Sequence, residues 1–385
     1  MVPFIPGDGV GPEIMRATRT VIDSVIEKTA GGDIRIEWKE LMAGDSSFKQ
    51  NGEWLPSATM EAIRQHGVAL KGPLTTPVGG GIRSLNVAMR QKLDLYASVR
   101  PVRYFRGVPS PVKKPDKMNI VIFRENTEDV YKGIEWRRGS KEAQELREFL
   151  KRNMNIDLGE DAGIGIKPIS EHASKRLVRA AIRHALKKGL RSVTLVHKGN
   201  IMKYTEGAFK EWGYELAQSE FAESVSFESD VVSSGDSRAV NDRLLINDRI
   251  ADNMFQQILT RPEEYSVLAA PNLNGDYLAD ACAAQIGGLG LAPGANIGDE
   301  VAVFEAVHGT APKYAGKNLA NPCSLMLSGA MMLEHIGVEQ AAEALVCGIA
   351  STLAEGIMTQ DLARLSSEKK YSGTNEFAGE VIRRL

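Results

Sequence analysis

A group of arginines in the first third of the chain could bind a small molecule that carries several negative charges. Arg90, Arg100 and Arg103 lie close together in the sequence, and Arg124 stands alone in an apolar segment. Guanidinium groups bind carboxylates through paired hydrogen bonds. Any one of these arginines, taken alone, is better interpreted as a surface group in an ordinary ion pair. The four together predict a site for a substrate with several carboxylates.

Glycines and a polar helix accompany these arginines. Residues 77–81 contain three consecutive glycines, which let backbone N–H groups come close to a ligand and predict an anion-binding loop. A helix should begin at Ser84, because the apolar residues that follow recur at helical spacing. Ser84, Asn86 and Arg90 then lie toward another side of that helix, where they can face a cavity.

Aspartates further along the chain could bind a divalent metal ion. Asp276 and Asp280 follow a predicted strand at Val267–Ala270, and their spacing places them on one face of a helix. Like charges repel there unless a cation lies between them, and Mg²⁺ or Mn²⁺ suits a few carboxylates plus water and substrate oxygens. Asp252 forms a further acidic candidate. The alternative is that the helix aspartates only complement the helix dipole, and the local pattern leaves both interpretations open.

Two polar segments, each of which follows a predicted strand, could bind a ligand. Lys198 comes directly after the strand Ser192–His197, a position where α/β enzymes often place functional side chains. The strand that begins at Val301 runs into a loop too long to be a plain turn, and such loops often hold a ligand. The polar residues of that loop include Lys313, Tyr314 and Asn321. His308 could contribute as well, although a lone histidine is more often structural.

Composition restricts the partners of the protein. The chain has 385 residues, of which 43% are hydrophobic and 25% charged, enough for two folded domains. A net charge of −2 argues against nucleic acid as a partner. Cys282, Cys323 and Cys347 show no CxxC spacing, so we expect reduced thiols in the core and no zinc site. No window reaches transmembrane length, and we expect a cytoplasmic protein.

The order of the predicted elements indicates an α/β fold with parallel strands. Strands at Val2–Ile5, 34–39 and Val68–Lys71 alternate with helices, one of which spans Ser57–His66. The glycines of GDGVG do not match the dinucleotide fingerprint GxGxxG, so we interpret them as a tight strand-to-helix turn. Ligands of parallel sheets bind outside the carboxyl ends of strands, where the glycine loop would fall.

An inserted segment interrupts this alternation after Tyr131. One amphipathic helix, with Ser140 as its N-cap, lies between two short β-like pieces. So small a unit buries little surface, and it must pack on its own domain or pair with a second chain. A longer helix at 170–188 and three helical stretches near the C-terminus complete the predicted elements.

Five separated segments resemble bacterial NADP-dependent isocitrate dehydrogenases of the isocitrate/isopropylmalate dehydrogenase family. They read SLNVAMRQKLDLYASVRPVRY, VIFRENTEDVYKGIEW, LVHKGNIMKYTEGAFKEWGY, NLNGDYLADACAAQIGG and FEAVHGTAPKYAGKNLANP, and they occur in the family's order. The resemblance implies a non-Rossmann α/β fold. Its large domain would comprise 1–95 and 287–385, its small domain 96–128 and 171–286, and an intersubunit clasp 129–170.

The resemblance also implies a role for each candidate residue. The substrate-binding residues correspond to Ser84, Asn86, Arg90, Arg100 and Arg124. The proton-transfer pair corresponds to Tyr131 and Lys198, and a neighbouring cation would lower the pKa of the tyrosine. The metal ligands correspond to Asp252, Asp276 and Asp280. In the family Lys198 and Asp252 come from the other subunit, so the resemblance implies a homodimer with shared sites.

The coenzyme contacts implied by the resemblance include one departure from the family. They are Thr75, Arg261, Glu305, His308, Gly309, Lys313, Tyr314, Asn321 and Arg364. Lys313 and Tyr314 match the positions that bind the 2′-phosphate of NADP, with Arg364 and a partner's Arg261 as supporting cations. Gln360 stands where the NADP-dependent enzymes usually have a tyrosine. We therefore expect NADP to be preferred, but less strongly than in members with the tyrosine.

The implied reaction is the oxidative decarboxylation of isocitrate to 2-oxoglutarate and CO2, with NADP as oxidant and Mg²⁺ or Mn²⁺ as metal, in the tricarboxylic acid cycle. Dehydrogenases of isopropylmalate, homoisocitrate or tartrate would share the aspartates and most arginines. Ser84 and Asn86 favour isocitrate, because these polar groups suit its γ-carboxylate. A catalytically silent regulatory subunit is the alternative from another class, against which the retention of Tyr131 and Lys198 argues.

Overall fold

The computed structural model of the chain describes residues 1–32, 34–75, 84–230, 243–366 and 370–385. Within them, a mixed sheet of eleven strands runs through the molecule and a separate sheet has two strands. The predicted anion-binding loop at 77–81 lies outside the described residues.

The strands of both sheets lie between helices along most of the chain. They are β1 (Val2–Ile5), β2 (Trp38–Glu40), β3 (Val68–Lys71), β4 (Ala97–Arg103), β5 (Asn119–Glu125), β6 (Glu135–Trp136), β7 (Ile164–Gly165), β8 (Ser192–His197), β9 (Val225–Phe227), β10 (Leu244–Ile250), β11 (Val267–Ala270), β12 (Pro293–Ile297) and β13 (Ala302–Ala306). The large sheet has the order β2-β1-β3-β13-β12-β4-β5-β11-β8-β10-β9.

The direction of the strands reverses at the centre of the large sheet. The strands from β2 to β13 are parallel to one another, and so are those from β5 to β9. Between these halves β12 and β4 pair antiparallel with each other and with their outer neighbours. The prediction of parallel strands is therefore confirmed for each half but is wrong for the centre.

Helices of very different length cover the sheet. They are α1 (Gly11–Ala30), α2 (Asp45–Asn51), α3 (Ser57–His66), α4 (Leu85–Lys92), α5 (Lys141–Met154), α6 (Glu171–Lys187), α7 (Glu206–Glu220), α8 (Ala251–Thr260), α9 (Asn272–Gln285), α10 (Cys323–His335), α11 (Glu339–Ala354), α12 (Gln360–Ala363) and α13 (Thr374–Arg383). Both ends of the chain share one helical layer, because α1 packs against α10, α11 and α13. The domain boundaries given above stay a prediction.

Local signals place several of these elements where the sequence predicts them. The bounds of β1, α3, β3, β8 and β11 agree with the prediction. Ser140 and Ser170 cap α5 and α6, since each hydroxyl accepts a hydrogen bond at 3.2 Å from the backbone N–H three residues later. The strand predicted at 34–39 is shorter and begins only at Trp38.

The structure shows how far the three cysteines and the inserted helix α5 are buried. Cys282 and Cys323 are buried free thiols, but Cys347 is exposed, because it lies on the outer face of α11. On α5 Ala143 is buried, but Phe149 and Met154 are 52% and 57% exposed, so the helix buries only part of its apolar face within one chain. None of the helices in the described ranges is both long and apolar enough to cross a membrane.

Candidate active site

Three of the four predicted arginines converge in a buried cluster. Arg90 comes from α4, Arg100 from β4 and Arg124 from β5, and they are 9%, 7% and 1% exposed. Burial, reinforced by the charge of Arg90, lowers the pKa of Arg100. Burial, followed by the charges of Arg100 and Arg90, lowers the pKa of Arg124 to about 10. The mutual repulsion of these guanidiniums favours an anion between them.

The fourth arginine does not belong to this cluster. Arg103 is exposed, and its guanidinium lies 5.0 Å from the centre of the Phe105 ring. Successive side chains of a strand point to opposite faces, so Arg100 and Arg103 of β4 point to opposite sides of the sheet. The prediction of four guanidiniums around one ligand is therefore wrong for Arg103.

The aspartates of α9 face the buried arginines. Arg124 Nη1 donates to Asp276 Oδ1, and Arg100 Nη1 lies 3.4 Å from Asp280 Oδ1. Arg124 Nε also donates to Asn272 Oδ1 at 2.8 Å, which fixes the plane of the guanidinium. Gly275 allows the helix to approach this closely, because a Cβ there would lie 2.7 Å from the Cβ of Arg124.

The two aspartates differ in their protonation chemistry. Burial would raise the pKa of Asp276, but the charge of Arg124 and the hydrogen bond from Tyr131 outweigh burial and lower it. Burial raises the pKa of Asp280 despite the opposing charge of Arg100. The pair places carboxylate oxygens on one helix face beside an arginine cluster, which suits a divalent ion that shares its ligands with an anionic substrate.

Tyr131 lies against this cluster, in a short 3-10 helix at Asp129–Lys132. Its hydroxyl donates to Asp276 Oδ2, and the guanidinium carbon of Arg124 lies 4.7 Å from its ring centre. Burial and the hydrogen bond to Asp276 raise the pKa of Tyr131, although the charge of Arg124 opposes them. The expected lowering of this pKa is therefore not found within one chain.

Lys198 and Asp252 form a separate pair. Lys198 Nζ donates to Asp252 Oδ1, at the start of α8. No hydrogen bond or ion pair within the described part of the chain joins either residue to Tyr131, Asp276 or Asp280. The same part contains no group of three or more His, Cys, Asp or Glu residues that could hold a metal ion. This separation is consistent with the expectation that both residues serve another subunit.

The predicted polar residues Ser84 and Asn86 lie at the start of α4, the helix that carries Arg90. Ser84 occupies the N-cap position of α4. Asn86 Oδ1 is buried and accepts no hydrogen bond from any described residue. A buried polar atom without a partner is costly, so a donor on a ligand would stabilise it.

Glu305, predicted to contact the coenzyme, forms an ion pair with Arg90. Its carboxylate lies 2.7 Å from Lys71 Nζ and 3.0 Å from Arg90 Nη2, and it accepts from Asn296 Nδ2 at 2.7 Å. Burial alone would raise the pKa of Glu305, but the charges of Lys71 and Arg90 lower it far below its usual range. Its contact with the coenzyme stays a prediction.

Most of the predicted coenzyme residues line a cavity of about 410 Å³. His308, Gly309, Tyr314, Asn321 and Arg364 line it, together with Gln360, the residue that departs from the family's tyrosine. Burial lowers the pKa of His308, and its Nε2 is buried without a partner among the described residues. An unpaired polar atom in a cavity wall fits a ligand that can hydrogen-bond to it.

The other predicted coenzyme residues lie outside the cavity wall. The backbone N–H of Thr75 donates at 2.7 Å to Asp8 Oδ2 in the first glycine turn. Lys313 is exposed next to Tyr314. Arg261 is also exposed, after α8, and lies 3.8 Å from Glu264. Its assignment to a partner's coenzyme site stays a prediction.

Sequence reasoning missed residues that hold the site without a recognisable pattern. Lys71 ends a buried apolar strand and Asn272 begins α9, where each pairs with a residue distant in the sequence. The one available signal was a charged residue at the end of an otherwise apolar strand. It could have identified Lys71 as a buried charge in need of a partner.

Comparison with known proteins gives consistent matches over the whole length. The family model described as isocitrate/isopropylmalate dehydrogenase matches residues 1–381. "Isocitrate dehydrogenase [NADP]" of Archaeoglobus fulgidus is 55% identical over 385 residues, covering 100% of this chain and 92% of that protein. The protein of that name from Staphylococcus epidermidis is 52% identical over 402 aligned residues, covering 100% and 95%.

Solved structures agree with these sequence matches. The crystal structure of isocitrate dehydrogenase from Methylococcus capsulatus superposes with a TM-score of 0.81 at 38% identity, covering 100% of this chain and 98% of that one. The TT0538 protein from Thermus thermophilus superposes with a TM-score of 0.80 at 36% identity, covering 100% of this chain and 68% of that one.

Proposed function

The chain belongs to the isocitrate/isopropylmalate dehydrogenase family, and we propose that it catalyses the oxidative decarboxylation of isocitrate to 2-oxoglutarate and CO2 with reduction of NADP. Full-length identity of 52–55% to proteins named isocitrate dehydrogenase [NADP] supports this reaction. Within the molecule, the carrying observation is the buried cluster of Arg90, Arg100 and Arg124 that faces the aspartates of α9.

The arginine cluster would bind the carboxylates of the substrate. Three fixed guanidiniums in a desolvated site bind a tricarboxylate more strongly than they would in water. Ser84 and Asn86 lie at the start of the helix that carries Arg90, where a hydroxyl and the side-chain N–H of an amide can donate to the γ-carboxylate that distinguishes isocitrate from isopropylmalate. Substrate choice within the family would therefore depend on the start of α4.

Asp276 and Asp280 would hold the divalent ion, Mg²⁺ or Mn²⁺, together with Asp252 of the partner subunit. An ion bound there would supply Lewis-acid chemistry at the C2 oxygen of the substrate, and bound NADP would supply the acceptor for the hydride of C2. Tyr131 lies beside Asp276 and would donate a proton to C3 after CO2 leaves. Lys198 of the partner subunit would serve the proton transfer from the C2 hydroxyl.

One spectrophotometric assay tests this function. With Mg²⁺ and NADP present, isocitrate should produce reduced nicotinamide, whereas isopropylmalate and tartrate should not. A higher kcat/KM with isopropylmalate than with isocitrate would refute the proposed substrate, and a protein inactive toward all three would support the silent-subunit alternative.

We also propose that the active unit is a cytoplasmic homodimer with shared sites. Lys198 and Asp252 form their own pair apart from Tyr131, and two apolar residues of α5, Phe149 and Met154, are more than half exposed. Both features suit a second copy of the chain. Tyr131→Phe removes the proton donor and Lys198→Met removes the amine, so each variant alone should be inactive.

Mixing these two inactive variants should restore a measurable fraction of the activity through hybrid dimers, in which one site has both intact residues. Mixing each variant with itself is the control. If subunit exchange is demonstrated by mass and the mixture stays inactive, the shared site is wrong.

The coenzyme cavity supports a preference for NADP over NAD. NAD is commonly selected by a carboxylate that accepts from the free ribose hydroxyls. Asp361 is the one carboxylate in the described wall, and each of its oxygens already accepts a hydrogen bond, from Asn321 and Thr359. Lys313 and Arg364 offer positive charge for a 2′-phosphate.

Gln360→Tyr should raise the preference for NADP over NAD by about tenfold to a hundredfold, the range expected for one hydrogen bond to a charged group. Gln360→Phe is the matched control, because it adds the ring without the hydroxyl. The measurement is kcat/KM for both coenzymes at saturating isocitrate and metal. Lys313→Asp combined with Tyr314→Ile should invert the preference, and an unsubstituted protein that favours NAD would contradict the assignment.

A further inference from the structure

A buried ionic cluster outside the proposed active site joins three separate segments of the chain. Lys167 Nζ lies 2.6 Å from Asp129 Oδ1 and 2.8 Å from Glu206 Oε1. Both carboxylate side chains are 1% exposed, and the lysine side chain is 19% exposed. Two buried carboxylates that share one ammonium form a cluster that is tolerated only when every group is well bonded.

Asp129 connects this cluster to the turn that carries Tyr131. Its backbone has φ of 66°, a left-handed conformation that a non-glycine residue adopts only when its surroundings hold it. Its Oδ2 accepts from the backbone N–H of Leu273 at 2.9 Å, in the first turn of the helix that carries Asp276. Its own N–H donates to Pro168 O at 2.9 Å, next to Lys167.

Glu206 connects the cluster to the segment that carries Lys198. The backbone N–H of Lys198 donates to Glu206 Oε2, which also accepts from Asn274 Nδ2 at 2.8 Å. The side chain of Glu206 therefore fixes the start of the loop from which Lys198 projects. Lys167 is the group that holds Glu206 and Asp129 together.

We propose that Lys167 is a positioning residue that fixes Tyr131 and Lys198 relative to each other. Because the proposed function assigns Lys198 to the partner's site, on which this inference rests, Lys167 would link the two active sites of the dimer. The arginines proposed to bind substrate come from β4, β5 and α4, and in the described part of the chain no ion pair joins any of them to Lys167. Loss of Lys167 should therefore impair proton transfer and leave substrate binding largely intact.

Lys167→Arg is the decisive variant, because it keeps the buried positive charge and changes only its shape. We expect kcat to fall by about tenfold to a hundredfold, as for a misplacement of about 1 Å, with KM for isocitrate and NADP changed by less than about twofold. The solvent deuterium isotope effect on kcat should rise, because proton transfer becomes rate-limiting. Lys167→Met should lose more activity and also stability.

Lys175→Met is the matched control. Lys175 Nζ also joins two carboxylates at 2.6 and 2.8 Å, those of Glu171 and Glu215, but these are 56% and 60% exposed. It should leave kcat and the isotope effect unchanged. Unchanged kcat in Lys167→Arg and Lys167→Met would overturn the inference, and so would a loss confined to KM or to the melting temperature.

Hybrid dimers show whether Lys167 affects the active site to which its chain supplies Tyr131, the site to which its chain supplies Lys198, or both. Lys167→Arg is placed in the Tyr131→Phe chain, which supplies Lys198, or in the Lys198→Met chain, which supplies Tyr131. Reduced activity in both arrangements supports the link between sites, and reduction in only one overturns it. If the mixture of Tyr131→Phe and Lys198→Met chains restores no activity without Lys167→Arg, the proposal of a shared site is wrong. In that case kcat of the Lys167→Arg protein still tests the positioning role.

Discussion

Arg124→Met should lower kcat/KM for isocitrate by roughly a thousandfold, which corresponds to about 4 kcal/mol. Arg124 is the least exposed of the three arginines, and its guanidinium contacts Asp276, Asn272 and the ring of Tyr131. The substitution removes a substrate-binding charge and also leaves a carboxylate without its strongest partner. Steady-state kinetics with saturating NADP and Mg²⁺ measure the loss.

Two further arginine variants test whether the effect depends on position and shape. Arg124→Lys keeps the charge but loses the planar fork that bonds Asp276 and Asn272 together, so it should lose much of the activity as well. Arg103→Met removes an exposed arginine from the other side of β4 and should change kcat/KM by less than about twofold. Equal losses in Arg103→Met and Arg124→Met would contradict the assignment of the cluster.

Glu305→Gln should lower the free energy of unfolding by about 3–5 kcal/mol, because it leaves Lys71 and Arg90 as buried cations without their anion. Urea unfolding at neutral pH measures the change. Glu145→Gln is the control: it breaks an exposed ion pair with Lys141 and should cost less than about 1 kcal/mol. A loss in Glu305→Gln as small as that of the control would contradict the proposed role of the carboxylate.

The effect of Glu305 should also depend on pH. The folded protein holds the pKa of Glu305 far below the value of about 4.3 expected in the unfolded chain. The carboxylate therefore contributes its full stability above about pH 4.3, and the contribution is lost as the pH falls further, because the unfolded chain takes up the proton first. The difference between wild type and Glu305→Gln should be constant at neutral pH and shrink below about pH 4. A difference that grows on acidification would contradict this.

The sequence by itself determined the local structure and the chemical inventory of the site. Ser140 and Ser170 mark helix starts through caps that need only neighbouring residues, and the apolar run of β8 predicts a buried strand. The identity of Arg124 indicates an anion-binding group, whereas that of Asp276 leaves metal binding and complementation of the helix dipole both open. The helix starts and the strand are confirmed because helix caps and periodicity act over a few residues, and side-chain type is a property of one residue.

The tertiary structure alone decided which of these groups meet. Arg103 carries a guanidinium like the others and lies three residues after Arg100, yet the alternation of side chains along β4 places it on the other face of the sheet. Glu305 meets Lys71 and Arg90 only because β3, β13 and α4 pack together. The pKa of Tyr131 is likewise raised by burial and by the hydrogen bond to Asp276, which lies on a helix distant in the sequence. Charge and desolvation act through space, so their effects depend on contacts between residues that the order of the chain does not bring together.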